Sequence, residues 1–453
     1  MIWLFLIGFT FAGGNIPFQF LPGPTAIRNV WTGGGGTSAW SDAGNWGRGA
    51  VPGNSEIAFF DGSCLSNCSP NLTAGTSVGQ IEMEPEYTGT ITQDSGSTLT
   101  VHGAWTMRGG TFQGGNQILT VGGVFTLSGG TFNATAGTSN FNGWMSNILG
   151  GAFNGTAGAL NFQGLNVANA ALKLSSGTTT ATLNSGGLTF GAGVTLNTNG
   201  GLMQIRRIVS NVVYVTMDPS LSFHRLDIQT ANAGQIFIYA HDIRVTGDLT
   251  LHGTGVAGEL NGKDVSTGGD VSVTGYGLRG SSRLIVTAAN RSVDASTATE
   301  ANLPGLYLDG ASATTTLTGT PILNGNLGCA ATGQTLSGAV IAKGDVELAC
   351  TITGGQSITM RGPANARLAA YSGLGFPTGT FVIDKAGATV TLHSNFTLHG
   401  AGQALNLDAG TLNMSGLNLT VPGTLTIAAG ATLTRASGTL TYGALVNNGT
   451  LNP

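Results

Sequence analysis

The sequence predicts an all-β chain: a single-stranded, right-handed parallel β-helix with coils of about 20 residues and a Trp-rich N-terminal cap. Equivalent residues recur at a near-constant step between residues 99 and 162. Apolar residues alternate with Thr, Ser or Asn over short runs that end in Gly-rich breaks, which is the two-residue period of strands. Charged residues supply only 8% of the chain and glycine fills 75 positions, a mixture that serves helices poorly.

At the N-terminus, residues 1–14 (MIWLFLIGFTFAGG) form an apolar run ending in small residues, expected to be a secretory signal segment, although the usual basic n-region is missing. No later stretch reaches the ~18 unbroken apolar residues of a spanning helix, so no transmembrane span is expected in the mature chain. Residues 15–70 read as a cap and lead-in. Trp31, Trp40 and Trp46 are spaced too irregularly for a coil, and three large rings suit the plugging of an open solenoid end. Pro52 and the run of glycines before Trp40 stop a helix or strand from extending through the cap.

Residues 71–453 read as solenoid. Val101, Val121, Phe141 and Phe162 are 20, 20 and 21 residues apart, and Phe112, Phe132 and Phe153 follow at 20 and 21. The Gly pairs 109/110, 129/130 and 150/151 keep the same step. A unit of that length is too short for a βαβ crossover but suits one coil of two or three strands. Uniform coils would number ~19 and make a rod on the order of 90 Å long. From about residue 224 a coarser repeat of 75–80 residues is expected, since Ile228, Leu308 and Ile383 are 80 and 75 apart.

Trp-Thr-Gly-Gly from Trp31, the second tryptophan Trp40, Ala-Gly-Asn-Trp ending at Trp46, and Pro52, followed by Gly-Thr-Leu-Thr-like strands, resemble bacterial β-strand-repeat surface proteins related to autotransporter passengers and filamentous adhesins. The resemblance spans nearly the whole chain. It implies a parallel β-helix, secretion or surface display, and adhesion, and it brings no catalytic residues. The closing stretch LTRASGTLTYGALVNNGTLNP carries no recognisable cap or translocator, so a fragment or a chain capped by a partner is expected.

Four cysteines form two local sets. Cys64 and Cys68 can close a small loop beside the cap, and Cys329 and Cys350 are 21 residues apart, one coil, which places them on neighbouring laps. Two disulfides are expected in an exported chain, ahead of free thiols or a four-Cys zinc site.

Formal charge is −4 and the sequence pI is about 5.8, so there is no basic field to recruit nucleic acid. Arg206, Arg225, Arg244, Lys263 and Arg283 are 19, 19, 19 and 20 residues apart, a cationic strip for an anionic glycan if the coils there have that length. A competing register of 22 residues relates Asp242 to Asp264 and Gly247-Asp248-Leu249 to Gly269-Asp270-Val271. This longer pattern is preferred. Asp242, Asp248, Asp264 and Asp270 would then sit on adjacent coils, either as turn residues bonded to local N–H groups or around a calcium ion.

His224, Asp227, His241 and Asp242 are the residues suited to acid–base chemistry. No H-E-x-x-H zinc motif, phosphate loop or G-x-S-x-G elbow accompanies them. The expected function is therefore a secreted or cell-surface structural or adhesive solenoid without catalysis, meeting surface glycans or ligands on neighbouring cells. The alternatives are a carbohydrate-active β-helix enzyme, either a polysaccharide lyase or a tailspike-like hydrolase, and a self-associating filament subunit.

Overall fold

A computed structural model describes residues 26–453 apart from 185, 208–211, 231–235, 260–261, 280–282, 298–302, 311–313, 330–333, 350–351 and 371–376. The expected signal segment, 1–14, lies outside the described residues. Strands make up 52% of the chain and stack as a parallel β-solenoid of about 16 turns. Among the described residues the only helical turn is the 3-10 segment Ala43–Asn45. The strands form sheets of 24, 7 and 17 members that run along the rod.

Between residues 99 and 162 the laps superpose as the spacing requires. Val121 lies beside both Val101 and Phe141, and Phe141 lies beside Phe162. Phe132 lies between Phe112 and Phe153. All seven side chains are fully buried. Ring centroids are 4.9 Å apart for Phe112–Phe132, 5.0 Å for Phe132–Phe153 and 4.8 Å for Phe141–Phe162. These separations match the ~4.8 Å rise from strand to strand, so each ring packs on its copy one lap away. Burial of each ring stabilises the fold by roughly 2–3 kcal/mol, and each stacked pair adds about 1.

Polar outward residues use the same rise. Asn133 donates to the Gln113 side-chain oxygen at 3.0 Å, and Asn154 donates to Asn133 at 2.8 Å. Asn161 donates to Asn140 at 2.9 Å on a second column. Amide ladders thus replace charge on these faces.

The second glycine of each pair turns the corner. Gly110, Gly130 and Gly151 have φ of 66°, 74° and 68°, the left-handed region that favours glycine. A Cβ on Gly130 would also collide with the Gly110 carbonyl one lap below.

Coil length is less uniform than expected. Leu119 pairs with Leu99, Leu188 with Val215, Val271 with Leu249 and Gln334 with Ile352, so the lap is long where Leu188 meets Val215 and short where Gln334 meets Ile352. About 16 turns form in place of ~19, and the rod is on the order of 75 Å long. The residues that mark the expected coarser repeat from about residue 224 do not all fall on one sheet. Ile228 lies in the 24-stranded sheet, whereas Leu308 and Ile383 lie in the 17-stranded one.

At the N-terminal end Trp31, Trp40 and Trp46 are buried against Phe60, with centroids 6.3, 5.8 and 5.9 Å from that ring. Buried Asn45 holds the glycine run in place: its side-chain oxygen accepts from Gly35 N–H (2.9 Å) and its amide donates to the Ala39 carbonyl (3.0 Å). A Cβ on Gly35 would lie 2.9 Å from that Asn45 oxygen, which accounts for the pairing of Gly-rich loop and Asn-Trp in the sequence. Cys64 and Cys68 form a disulfide with Cα atoms 5.7 Å apart. The loop it closes clasps the cap, since Ser66 and Asn67 side chains donate to the Gly33 carbonyl (3.1 and 3.3 Å) and Trp31 donates to the Asn67 carbonyl (3.0 Å).

The second cysteine set differs from the expected stacking. Because the lap there is shorter than the spacing from Cys329 to Cys350, Leu348 lies beside Cys329. Cys329 is buried and disulfide-bonded, and its expected partner Cys350 lies outside the described residues.

Farther along, the buried Lys385 donates to the Lys343 and Ala364 carbonyls at 2.7 and 2.9 Å, tying its own lap to two earlier ones. Burial holds its pKa below the usual 10.5, with Asp345 partly opposing the shift.

Two outcomes are expected. Gly130→Ala destabilises by about 2 kcal/mol in thermal or urea unfolding, whereas Gly96→Ala, where a Cβ meets open space, stays within about 0.5. Between the lowered pKa of Lys385 and 10.5 the unfolded chain binds more protons than the folded one, so stability rises with pH across that window. Urea unfolding at stepped alkaline pH should show this increment in the wild type and lose it in Lys385→Met. Equal slopes would refute it.

Candidate functional site

The longer of the two registers places the four aspartates as the Gly-Asp pattern implied. Ile243 pairs with Val265 and Leu249 with Val271, so Asp242 precedes Asp264 and Asp248 precedes Asp270 on adjacent laps. Their carboxylates do not converge on a shared cation. Asp242 accepts from the Asp264 N–H (2.9 Å), Asp264 from the Arg283 N–H (2.9 Å), Asp248 from the Asp270 N–H (3.0 Å) and Asp270 from the Ser292 N–H (2.7 Å). Each side chain thus bonds the backbone of the next lap, a short charge-assisted link. Among the described residues no group of three or more His, Cys, Asp or Glu is placed to hold a metal, and the four carboxylates are arranged as this ladder.

The five basic residues do not stack into a strip. Arg206 lies beside Gln229 and Arg225 beside Leu202 in one sheet, while Arg244 lies beside Ser266 and Arg283 beside Gly305 in the other. Lys263 sits between strands. Their spacing falls short of the laps that pair Leu202 with Arg225 and Ile243 with Val265 but not of the shorter lap that pairs Val265 with Leu284, so they do not keep one column.

Two polar assemblies do form. On the 24-stranded sheet, the nearly buried Asp227 accepts from the Gln204 and Gln229 amides (2.8 and 2.6 Å), and its second oxygen lies 3.4 Å from His252 Nε2. Arg206 adjoins this group by donating to Gln229 (2.9 Å). Asp227 therefore partners His252, from the following lap. His224 instead lies 3.5 Å from the Thr246 hydroxyl, and His241 lies near Asp218.

The larger assembly lies on the 17-stranded sheet. One outward column reads Asp242, Asp264, Arg283, Gly305, Asn326, Asp345 and Arg367, and the column two residues on reads Arg244, Ser266, Ile285, Tyr307, Gly328, Glu347 and Ala369. Arg283 binds Asp264 through two guanidinium nitrogens (3.1 and 2.6 Å), which holds the guanidinium firmly in its charged form. Its carbon lies 5.1 Å from the Tyr307 ring centroid. Three cavities follow one another along these columns. The first, about 340 Å³, lies by Asp242, Arg244 and Asp309; the second, about 220 Å³, by Tyr307, Gly328 and Glu347; the third, about 480 Å³, by Asp345, Arg367 and His393.

Tyr307, Gly328 and Glu347 were missed in the sequence because their signal is weak: a polar or glycine residue before aliphatic-x-aliphatic, at a step that changes from lap to lap. The fold is that of a repeat protein, a parallel β-solenoid. No family model, curated protein or solved structure matches the chain.

If Asp248 serves as an acceptor for the next lap, Asp248→Ala should cost about 1–2 kcal/mol in urea unfolding, and Asp248→Asn, which keeps an acceptor oxygen, less than half of that. Added calcium or a chelator should leave the wild-type melting temperature unchanged, and a calcium-dependent rise would contradict the ladder.

Proposed function

We propose that this chain is an extracellular structural rod that adheres to surface glycans along one lateral face, without bond-breaking chemistry of its own. The observation that carries the proposal is the alignment of three cavities with the two charge-bearing columns of the 17-stranded sheet. In a chain with only 8% charged residues, this concentration of guanidinium, carboxylate and phenol groups sets one face apart from the amide ladders elsewhere. Such groups suit polyhydroxylated ligands, and a straight row suits an extended polymer. The Cys64–Cys68 disulfide favours an oxidising compartment, and the resemblance of the Trp-rich cap to those of bacterial surface proteins points the same way.

A second reading, a glycan lyase or hydrolase, is favoured by Asp227 and His252, a buried carboxylate set against an imidazole. Cells carrying the full chain should expose it to external protease and to immobilised glycans, with Cys64 and Cys68 oxidised. The glycans should be retained with no new reducing or unsaturated ends. A reduced, intracellular chain would overturn the proposal, and end formation lost in His252→Ala would establish the enzymatic reading in its place.

A further inference from the structure

The middle cavity of the charged face has a composition that its neighbours lack. Tyr307, Gly328 and Glu347 occupy successive laps of one outward column. Gly328 has no side chain to fill its place, and a Cβ there would lie 2.8 and 3.0 Å from two ring carbons of Tyr307. The ring therefore depends on the glycine for its position. Shielding of a strand glycine by a neighbouring aromatic ring is a familiar structural device and accounts for where the ring lies.

That device leaves Glu347 unexplained. Its side chain is half-buried, flanked along the column by Gly328 and Ala369, and among the described residues it has no hydrogen-bond or ion-pair partner. Its carboxylate oxygens are open to solvent and free to accept from donors outside the chain. Arg283 does not answer it, because that guanidinium is engaged by Asp264 and lies against Tyr307. The cavity thus offers an aromatic ring, an unpaired acceptor and a guanidinium already paired with Asp264 within about 220 Å³. This is smaller than the ~300 Å³ at which pockets for drug-sized molecules begin, and it suits a single ring of a longer chain.

The geometry points to a saccharide subsite at Tyr307, Gly328 and Glu347 that takes one uncharged pyranose ring of an extended neutral polysaccharide. The apolar C–H face of the sugar packs against the phenol ring, and its adjacent hydroxyls donate to the Glu347 carboxylate. An anionic sugar is disfavoured, because its carboxylate would face Glu347 while the nearest guanidinium is already paired. The neighbouring cavities lie one or two laps away on either side, so a polymer lying along the rod reaches all three. This inference rests on the proposal that the face binds glycans, and it adds the sugar class and the residues that select it.

The test is titration calorimetry of the purified full chain with cellohexaose, mannohexaose and chitohexaose, and with polygalacturonate as the anionic probe. At least one neutral hexasaccharide should bind. Tyr307→Ala and Gly328→Leu should each weaken that binding tenfold or more, Glu347→Gln several-fold, and Tyr307→Phe little. Circular dichroism identifies any variant that fails to fold, and Glu347→Gln, a change without loss of volume, keeps the test open in that event. Neutral binding that survives Tyr307→Ala and Glu347→Gln but is lost in Arg367→Ala would overturn the subsite and leave the adhesive face standing. Polygalacturonate binding without neutral binding would overturn the sugar class alone. If the wild-type chain binds none of the four, both the subsite and the glycan-binding face are overturned.

Discussion

Everything in this rod depends on the vertical superposition of equivalent backbone positions about 4.8 Å apart, held by parallel ladder hydrogen bonds. At that separation a side chain has its counterparts on the adjoining laps as nearest neighbours, so every column must be compatible with itself. Phenylalanine meets this condition inside by stacking, as in Phe112, Phe132 and Phe153. Asparagine meets it outside, because an amide is both donor and acceptor and can continue a ladder without limit. A carboxylate cannot, since a column of like charges repels itself.

The same condition explains how the few charged residues are used. Asp242 and Asp264 occupy one column on adjacent laps, yet the side chain of each accepts from the backbone N–H of the lap above it. Arg283 then ends the acidic run with two bonds to Asp264. Farther along, Asn326 and Asp345 repeat the device toward Asp345 N–H and Arg367 N–H, at 2.8 and 2.7 Å. One structural role is therefore served by Asp or Asn alike, which shows that the acceptor oxygen matters there and the formal charge is secondary.

The stretch between residues 99 and 162 was legible because its coils are nearly equal in length. A steady step lets Val101, Val121 and Phe141 announce a shared column before any coordinates are known. Where lap length varies, as it does between the long lap that pairs Thr180 with Gln204 and the short one that pairs Gln334 with Ile352, single-residue periodicity fails. The even spacing of Arg206, Arg225, Arg244, Lys263 and Arg283 is an instance, and patterns of several residues such as Gly-Asp-Leu/Val survive because they carry the strand phase with them. The pairing of Asp227 with His252 was out of reach for the same reason: it needs the exact lap length between two strands, which corner residues set and hydrophobic alternation does not reveal.

Gaps in a column have a different physical standing from gaps in a globular core. In a packed interior a missing side chain leaves a void that the surroundings cannot close. In an outward column the ladder passes through the glycine backbone undisturbed, as Gly328 pairs in register with both Tyr307 and Glu347. The cost is that of a strand glycine, about 1 kcal/mol, and the Tyr307 ring offsets part of it. A solenoid can therefore acquire a recess on its surface by deleting one side chain, without altering its coil, its neighbours or its core. Next to a carboxylate without a partner among the described residues, such a deletion leaves acceptor oxygens open to donors from outside the chain. That open acceptor beside an aromatic ring distinguishes the Tyr307–Glu347 recess from the amide ladders on the other faces.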